Sequence, residues 1–149
     1  MQNGMLISKL RVEHNLSQKE MAKYLHVGVS PYKLFEANIR PMNIKELNRL
    51  SNYFKVSLNT LLGLSNNLTE FGPFDIDYKY LRFSLKYIRK RHRITQKKLA
   101  QDFHVSYATV SRFEKYPEKV NASYLYMFAK KFGVSVDYIC GKTLKKEVL

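Results

Sequence analysis

The sequence predicts an all-α protein made of two tandem copies of one five-helix domain. Three observations carry that prediction: an internal repeat, apolar residues at helical spacing, and helix start and stop residues bracketing each stretch. The chain has 149 residues, of which 45% are hydrophobic and 26% charged, enough for a buried core. Shifting the sequence by 78 positions sets Arg11 on Arg89, His14 on His92, Gln18-Lys19 on Gln96-Lys97 and His26-Val27 on His104-Val105. Phe35-Glu36 meets Phe113-Glu114, Asn43 meets Asn121, and Val56-Ser57 meets Val134-Ser135. The register holds without a gap from Leu10 to Gly63. Most unmatched pairs keep their character, as in Met21/Leu99, Leu25/Phe103 and Leu61/Ile139.

The first helix of the first copy begins in the mixed apolar and polar N-terminus; in the second copy its buried stripe is Leu81, Leu85 and Ile88, at i, i+4, i+7. Thr95 suits an N-cap, since its hydroxyl can accept an unpaired amide of the first turn. Ser17 does the same in the first copy, with Glu20 completing a capping box. The second helix buries Leu99, Ala100 and Phe103, and after a turn at His104-Val105 Ser106 caps a third that buries Val110 and Phe113. A fourth follows Asn121, burying Leu125, Phe128, Ala129 and Phe132, and Gly133 supplies the left-handed stop. A short fifth helix runs from Ser135 through Ile139 and Cys140 to Gly141. These limits give a first domain over residues 1–64, a linker over 65–77 and a second domain over 78–149. Gly72-Pro73 marks the linker, and its Leu68, Phe71, Phe74 and Ile76 favour partial docking on one domain over a free tether.

Charge narrows the function. Lys and Arg number 26 against 12 Asp and Glu, a net +14 with a pI near 9.9, which points to a polyanionic partner. A merely solubilising basic surface is the alternative. A single cysteine excludes an intrachain disulfide framework and suits a cytoplasmic protein. No apolar run reaches membrane-span length, and the N-terminus lacks signal-peptide features. His14, His26, His92 and His104 fall at helix ends without metal-ligand spacing, so they read as caps or packing. Cys140 aligns with Leu62 and reads as a small buried hydrophobe. No phosphate loop, Ser-His-Asp set or paired carboxylates appear in the sequence, so an enzyme, a cofactor, a metal or a small-molecule ligand has no support there.

Ile94-Thr95-Gln96-Lys97-Lys98-Leu99-Ala100, followed by Val105 through Glu114, closely resembles the lambda-repressor-like (Cro/XRE-type) helix-turn-helix DNA-binding family. Phe132-Gly133-Val134-Ser135-Val136-Asp137-Tyr138-Ile139 matches the family's closing segment, and Leu16 through Ala22 and Tyr53 through Ser57 repeat both features in the first copy. The resemblance implies two tandem five-helix lambda-repressor-like domains and double-stranded DNA as partner. It also implies an intradomain ion pair between Arg89 and Glu114, repeated as Arg11 and Glu36, and a phosphate contact by Gln96. It allows a homodimer, as this family often forms.

The residues support the same partner. A third helix opening at Ser106 leaves Tyr107, Ala108, Ser111 and Arg112 on faces not taken by Val110 and Phe113. Arg112 can bind guanine O6 and N7 with two parallel hydrogen bonds, Ala108 or the Thr109 methyl can touch a thymine methyl, and Tyr107 can reach a phosphate or base edge. Lys97, Lys115 and Lys119 flank the phosphates.

The copies differ. Where the second has Thr109 and Arg112, the first has Pro31 and Leu34, and the net charges are +5 for residues 1–68 and +9 for residues 69–149. The second copy is therefore expected to supply most base readout. The first contributes Gln18, Lys19, Ser30, Lys33, Asn38 and Arg40, chiefly to the backbone, or serves as an interaction module; two independent readers of different half-sites is the other possibility. In the fourth helix, Glu46, Asn48 and Arg49 become Tyr124, Tyr126 and Met127, an aromatic surface expected to be covered by the linker, the other domain or a second chain. The expected function is a sequence-specific transcriptional regulator of the repressor kind, in a bacterium or phage. The rival is a protein-interaction module, an antitoxin or inhibitor, on the same scaffold.

Overall fold

The computed structural model describes residues 3–68 and 75–143, and helices account for the regular structure found there. Contacts divide the chain into two units, Met1–Gly72 and Pro73–Leu149. In the first lie α1 (Gly4–Glu13), α2 (Gln18–Tyr24), α3 (Val29–Glu36), α4 (Ile44–Phe54) and α5 (Leu58–Leu61). The second has α6 (Tyr78–Arg91), α7 (Gln96–Phe103), α8 (Tyr107–Lys115), a 3-10 turn at Pro117–Lys119, α9 (Ala122–Phe132) and α10 (Val136–Ile139).

Local chemistry sets these limits. Ser17 and Glu20 form the expected capping box, and Asn43 with Glu46 forms another. Thr95, Ser106, Asn121 and Ser135 each accept an amide of the turn they open. Helix exits repeat at the same offset: Asn15 and Arg93, His26 and His104, Lys55 and Gly133, and Gly63 and Gly141 all have positive φ. The rings of His14 and His92 sit at helix C-termini, each Nδ1 2.8 Å from a carbonyl one turn back.

Within each unit an ion pair ties three helices together, buried in the second unit and half-buried in the first. Arg89 donates through Nε and Nη2 to the two carboxylate oxygens of Glu114, and through Nη1 to the Ile94 carbonyl at 2.8 Å. Gln96 Nε2 donates to the same carboxylate at 2.8 Å. The arrangement recurs as Arg11 with Glu36 (2.6 Å), Leu16 O and Gln18, with the Tyr32 hydroxyl added at 2.7 Å. Burial works against the Glu36 carboxylate, but hydrogen bonds from Arg11, Tyr32 and Gln18 outweigh it and hold its pKa below the usual range.

The core is the expected apolar set, with two corrections. Ile88 and Phe132 are half-buried rather than buried. Tyr124, expected on an aromatic surface, is 1% exposed, its ring 5.3 Å from Phe103 and 5.0 Å from Phe113. The first-copy residue at that position explains the misreading: Glu46 looks solvent-facing but is buried, its carboxylate turned back onto the Asn43 amide. Only Tyr126 and Met127 remain half-exposed on that surface.

At the linker, Ile76 is buried and the Asp77 amide donates to the Cys140 carbonyl at 2.9 Å, so residues 76–77 are built into the second unit. Leu68 is exposed, and Phe71 and Phe74 lie outside the described residues.

The units part company after the third helix. Asn38 is left-handed (φ 59), and its Oδ1 accepts the Gly4 amide at 2.9 Å. The approach needs glycine, since a Cβ on Gly4 would meet the Glu36 carbonyl oxygen at 2.2 Å. At the matching position Tyr116 precedes Pro117, which drives it out of helical space to φ −127, ψ 75 and starts the 3-10 turn.

Removing one member of a buried pair strands the other charge, at about 3–5 kcal/mol. Glu114→Ala is therefore expected to lower the unfolding free energy of the second domain by about that amount in denaturant titration. A loss under about 1 kcal/mol would count the pair as ornamental.

Candidate nucleic-acid interface

The geometry starts from the turn between α7 and α8. His104 is left-handed (φ 53), the Val105 amide returns to the Ala100 carbonyl at 3.0 Å, and Ser106 starts α8 in extended conformation. Residues His26, Val27 and Gly28 make the same turn between α2 and α3. Two short helices joined this tightly present the start of the second outward, as entry into a major groove requires.

On α8, Val110, Phe113 and Glu114 are buried, while Tyr107 (58% exposed), Ala108 and Arg112 face solvent. Ser111 is half-buried. The Arg112 guanidinium lies 5.2 Å from the Phe113 ring centroid, a cation–π contact that steadies an otherwise exposed side chain. Ser106 and Thr109 bond to each other at 2.8 Å, so their hydroxyls serve the cap first.

Around this helix, Lys97 is exposed on the first turn of α7 and Lys119 on the 3-10 turn, and Lys115 Nζ lies 5.4 Å from the Tyr116 ring centroid. Gln96 is half-buried at the start of α7 and commits one amide hydrogen to Glu114. In the first unit, Gln18 is held by Glu36 in the same way, and Lys19, Ser30 and Lys33 are exposed. Asn38 spends its side-chain carbonyl on Gly4, and the Arg40 guanidinium lies 5.6 Å from the Phe35 ring centroid. Helix α3 opens on Gly28 with no side-chain cap, and Leu34 is 38% exposed where α8 has Arg112.

Sequence reasoning missed two features here. Asp102 joins Lys98 (3.0 Å) and Lys131 (2.8 Å), and these lysines hold its carboxyl below the usual range. The Lys98 contact is a legible i, i+4 spacing; Lys131, on α9, carries no sequence signal. Arg93, exposed and left-handed (φ 58), sits in the turn entering α7, which only the fold reveals.

Among the described residues, no group of His, Cys, Asp or Glu is placed to hold a metal, and no helix is long and apolar enough to cross a membrane. Cys140 is buried, which pushes its thiol pKa up, away from nucleophilic use.

A helix-turn-helix family model matches the chain twice, over residues 7–61 and 85–139. The chain belongs to the Cro/C1-type helix-turn-helix family. The two matched spans carry the 78-residue offset of the internal repeat, so the tandem duplication and the family assignment coincide. No curated protein and no solved structure matches the chain significantly. As a member of this helix-turn-helix family, the protein is a DNA-binding transcription regulator.

Proposed function

We propose that the protein is a repressor that reads the major groove with α8 of its second domain. One observation supports this above others: two copies of one scaffold differ on the outer face of the third helix. Tyr107, Ala108 and Arg112 are exposed on α8, where α3 offers Val29, Ser30 and the apolar Leu34. In this reading Arg112 binds a guanine through O6 and N7, Ala108 or the Thr109 methyl touches thymine, and Tyr107 and Ser111 meet a base edge or phosphate. Lys97, Lys115, Lys119, Ser106 and the free amide hydrogen of Gln96 hold the backbone around it, with affinity that falls as salt rises. The first domain adds backbone contacts through Gln18, Lys19, Ser30, Lys33, Asn38 and Arg40. Occupying a promoter excludes polymerase by bulk alone, and no bond is made or broken.

A second reading has its own observation. Leu34, Ile39 (71% exposed) and Met5 (81% exposed) leave apolar side chains on the first domain, which suits a module that grips another protein.

Selection from random duplex pools, followed by sequencing, separates the two. Wild type is expected to enrich a motif containing a guanine. Arg112→Ala relaxes that position by about 1–3 kcal/mol of discrimination. Lys97→Ala weakens all sequences alike and lowers the salt slope by about 1, and Leu34→Ala leaves the motif unchanged. No enriched motif, or one indifferent to Arg112→Ala, overturns the reading.

A further inference from the structure

Helix α6 carries a surface that the helix-turn-helix does not use. Its inner side buries Leu81, Ser84, Leu85 and Arg89. On its outer side Phe83 (60% exposed) and Tyr87 (48% exposed) stack on each other, ring centroids 5.2 Å apart and planes 18° from parallel. Arg82, Lys86, Lys90 and Arg91 are exposed beside them. A groove of about 580 Å³ runs along this aromatic pair, its far wall formed by Val134, Tyr138 and Ile139 at the junction of α9 and α10. Neither α7 nor α8 contributes a residue to the groove.

The first copy serves as an internal control. At the same offset, Phe83, Tyr87 and Arg91 become Met5, Lys9 and Glu13, and Lys86 and Lys90 become Ser8 and Val12. Lys9 and Glu13 approach to 3.9 Å, so the matching face is close to neutral. The scaffold thus folds without an aromatic, basic surface here, and the second copy has one for another reason.

We propose that this groove docks an acidic amphipathic helix of a partner protein. Apolar anchors at i, i+3/i+4 and i+7 enter the groove against Phe83, Tyr87 and Ile139, while flanking Asp or Glu meet Lys86, Lys90 and Arg91. Charge selects this occupant. A second copy presenting the same face would set these cations against one another. Duplex phosphates need only the cations and leave the apolar groove unfilled. Single-stranded bases stack on open ring faces, and Phe83 and Tyr87 already cover each other's facing sides.

The inference is independent of the operator reading, and its test uses the full chain. The probe is a fluorescein-labelled peptide of about 18 residues, Glu-rich with Leu and Phe at helical spacing, beside a Lys-for-Glu version and a thymidine oligonucleotide. Saturable anisotropy is expected with the acidic peptide alone. It weakens about tenfold or more in Phe83→Ser/Tyr87→Ser and in Lys86→Glu/Lys90→Glu, while Arg112→Ala binds as wild type. Circular dichroism and thermal unfolding report whether each variant is folded. The proposal is overturned by absent saturation or by folded variants that bind equally. It is overturned equally by oligonucleotide binding that needs Phe83 and Tyr87, or by self-association lost in Phe83→Ser/Tyr87→Ser.

Discussion

Each domain depends on one guanidinium–carboxylate pair, buried in the second copy and half-buried in the first. A fixed fork of donors on Arg89 meets both oxygens of Glu114, and the remaining guanidinium nitrogen takes the Ile94 carbonyl. Glu114 also holds Gln96, so a single pair fixes the end of the first helix, the loop after it, the opening of the second and the last turn of the third. Arg11 and Glu36 do the same in the first copy. The helices are short, and helices of this length do not persist alone in water. What orients the third helix against the second is tertiary, and this pair is its polar centre.

With orientation secured inside, the surfaces are free to diverge. The ion pair, the caps and the positive-φ exits recur at one offset, yet three exposed regions have changed. Helix α8 carries Tyr107 and Arg112 where α3 has Val29 and Leu34. Helix α6 carries stacked aromatics among cations where α1 is close to neutral. The loop after the third helix changes with one proline: Pro117 pushes Tyr116 toward extended backbone where Asn38 turns left-handed, and Lys119 rides on the 3-10 turn that follows. One fold, used twice in a chain, thereby presents two different chemistries.

Much of this was legible in the residues. The repeat, the Ser, Thr and Asn caps, the Gly133 stop and the tight turn at His104-Val105 are local signals, and local signals survive into the fold. Arg89 and Glu114 were legible through family resemblance, 25 residues apart. Tyr124 was not, because its counterpart Glu46 is a buried carboxylate satisfied by its own helix start, and burial of that kind has no periodicity. The engagement of Asn38 with Gly4, and of Lys131 with Asp102, joins positions 34 and 29 apart with no motif to mark them. The candidate base-contacting residues share one helix face, and a helix face is the most readable unit a sequence has.

The central claim is that a clamped scaffold used twice reads bases mainly once. Guanine-N7 methylation interference on the selected duplex tests it most directly, since a methyl at N7 blocks an Arg contact in the major groove. The account predicts a single region of strong interference, absent when Arg112→Ala is assayed on the same duplex. Two equally strong regions, one of them indifferent to Arg112→Ala, would contradict it and make the first domain a reader in its own right.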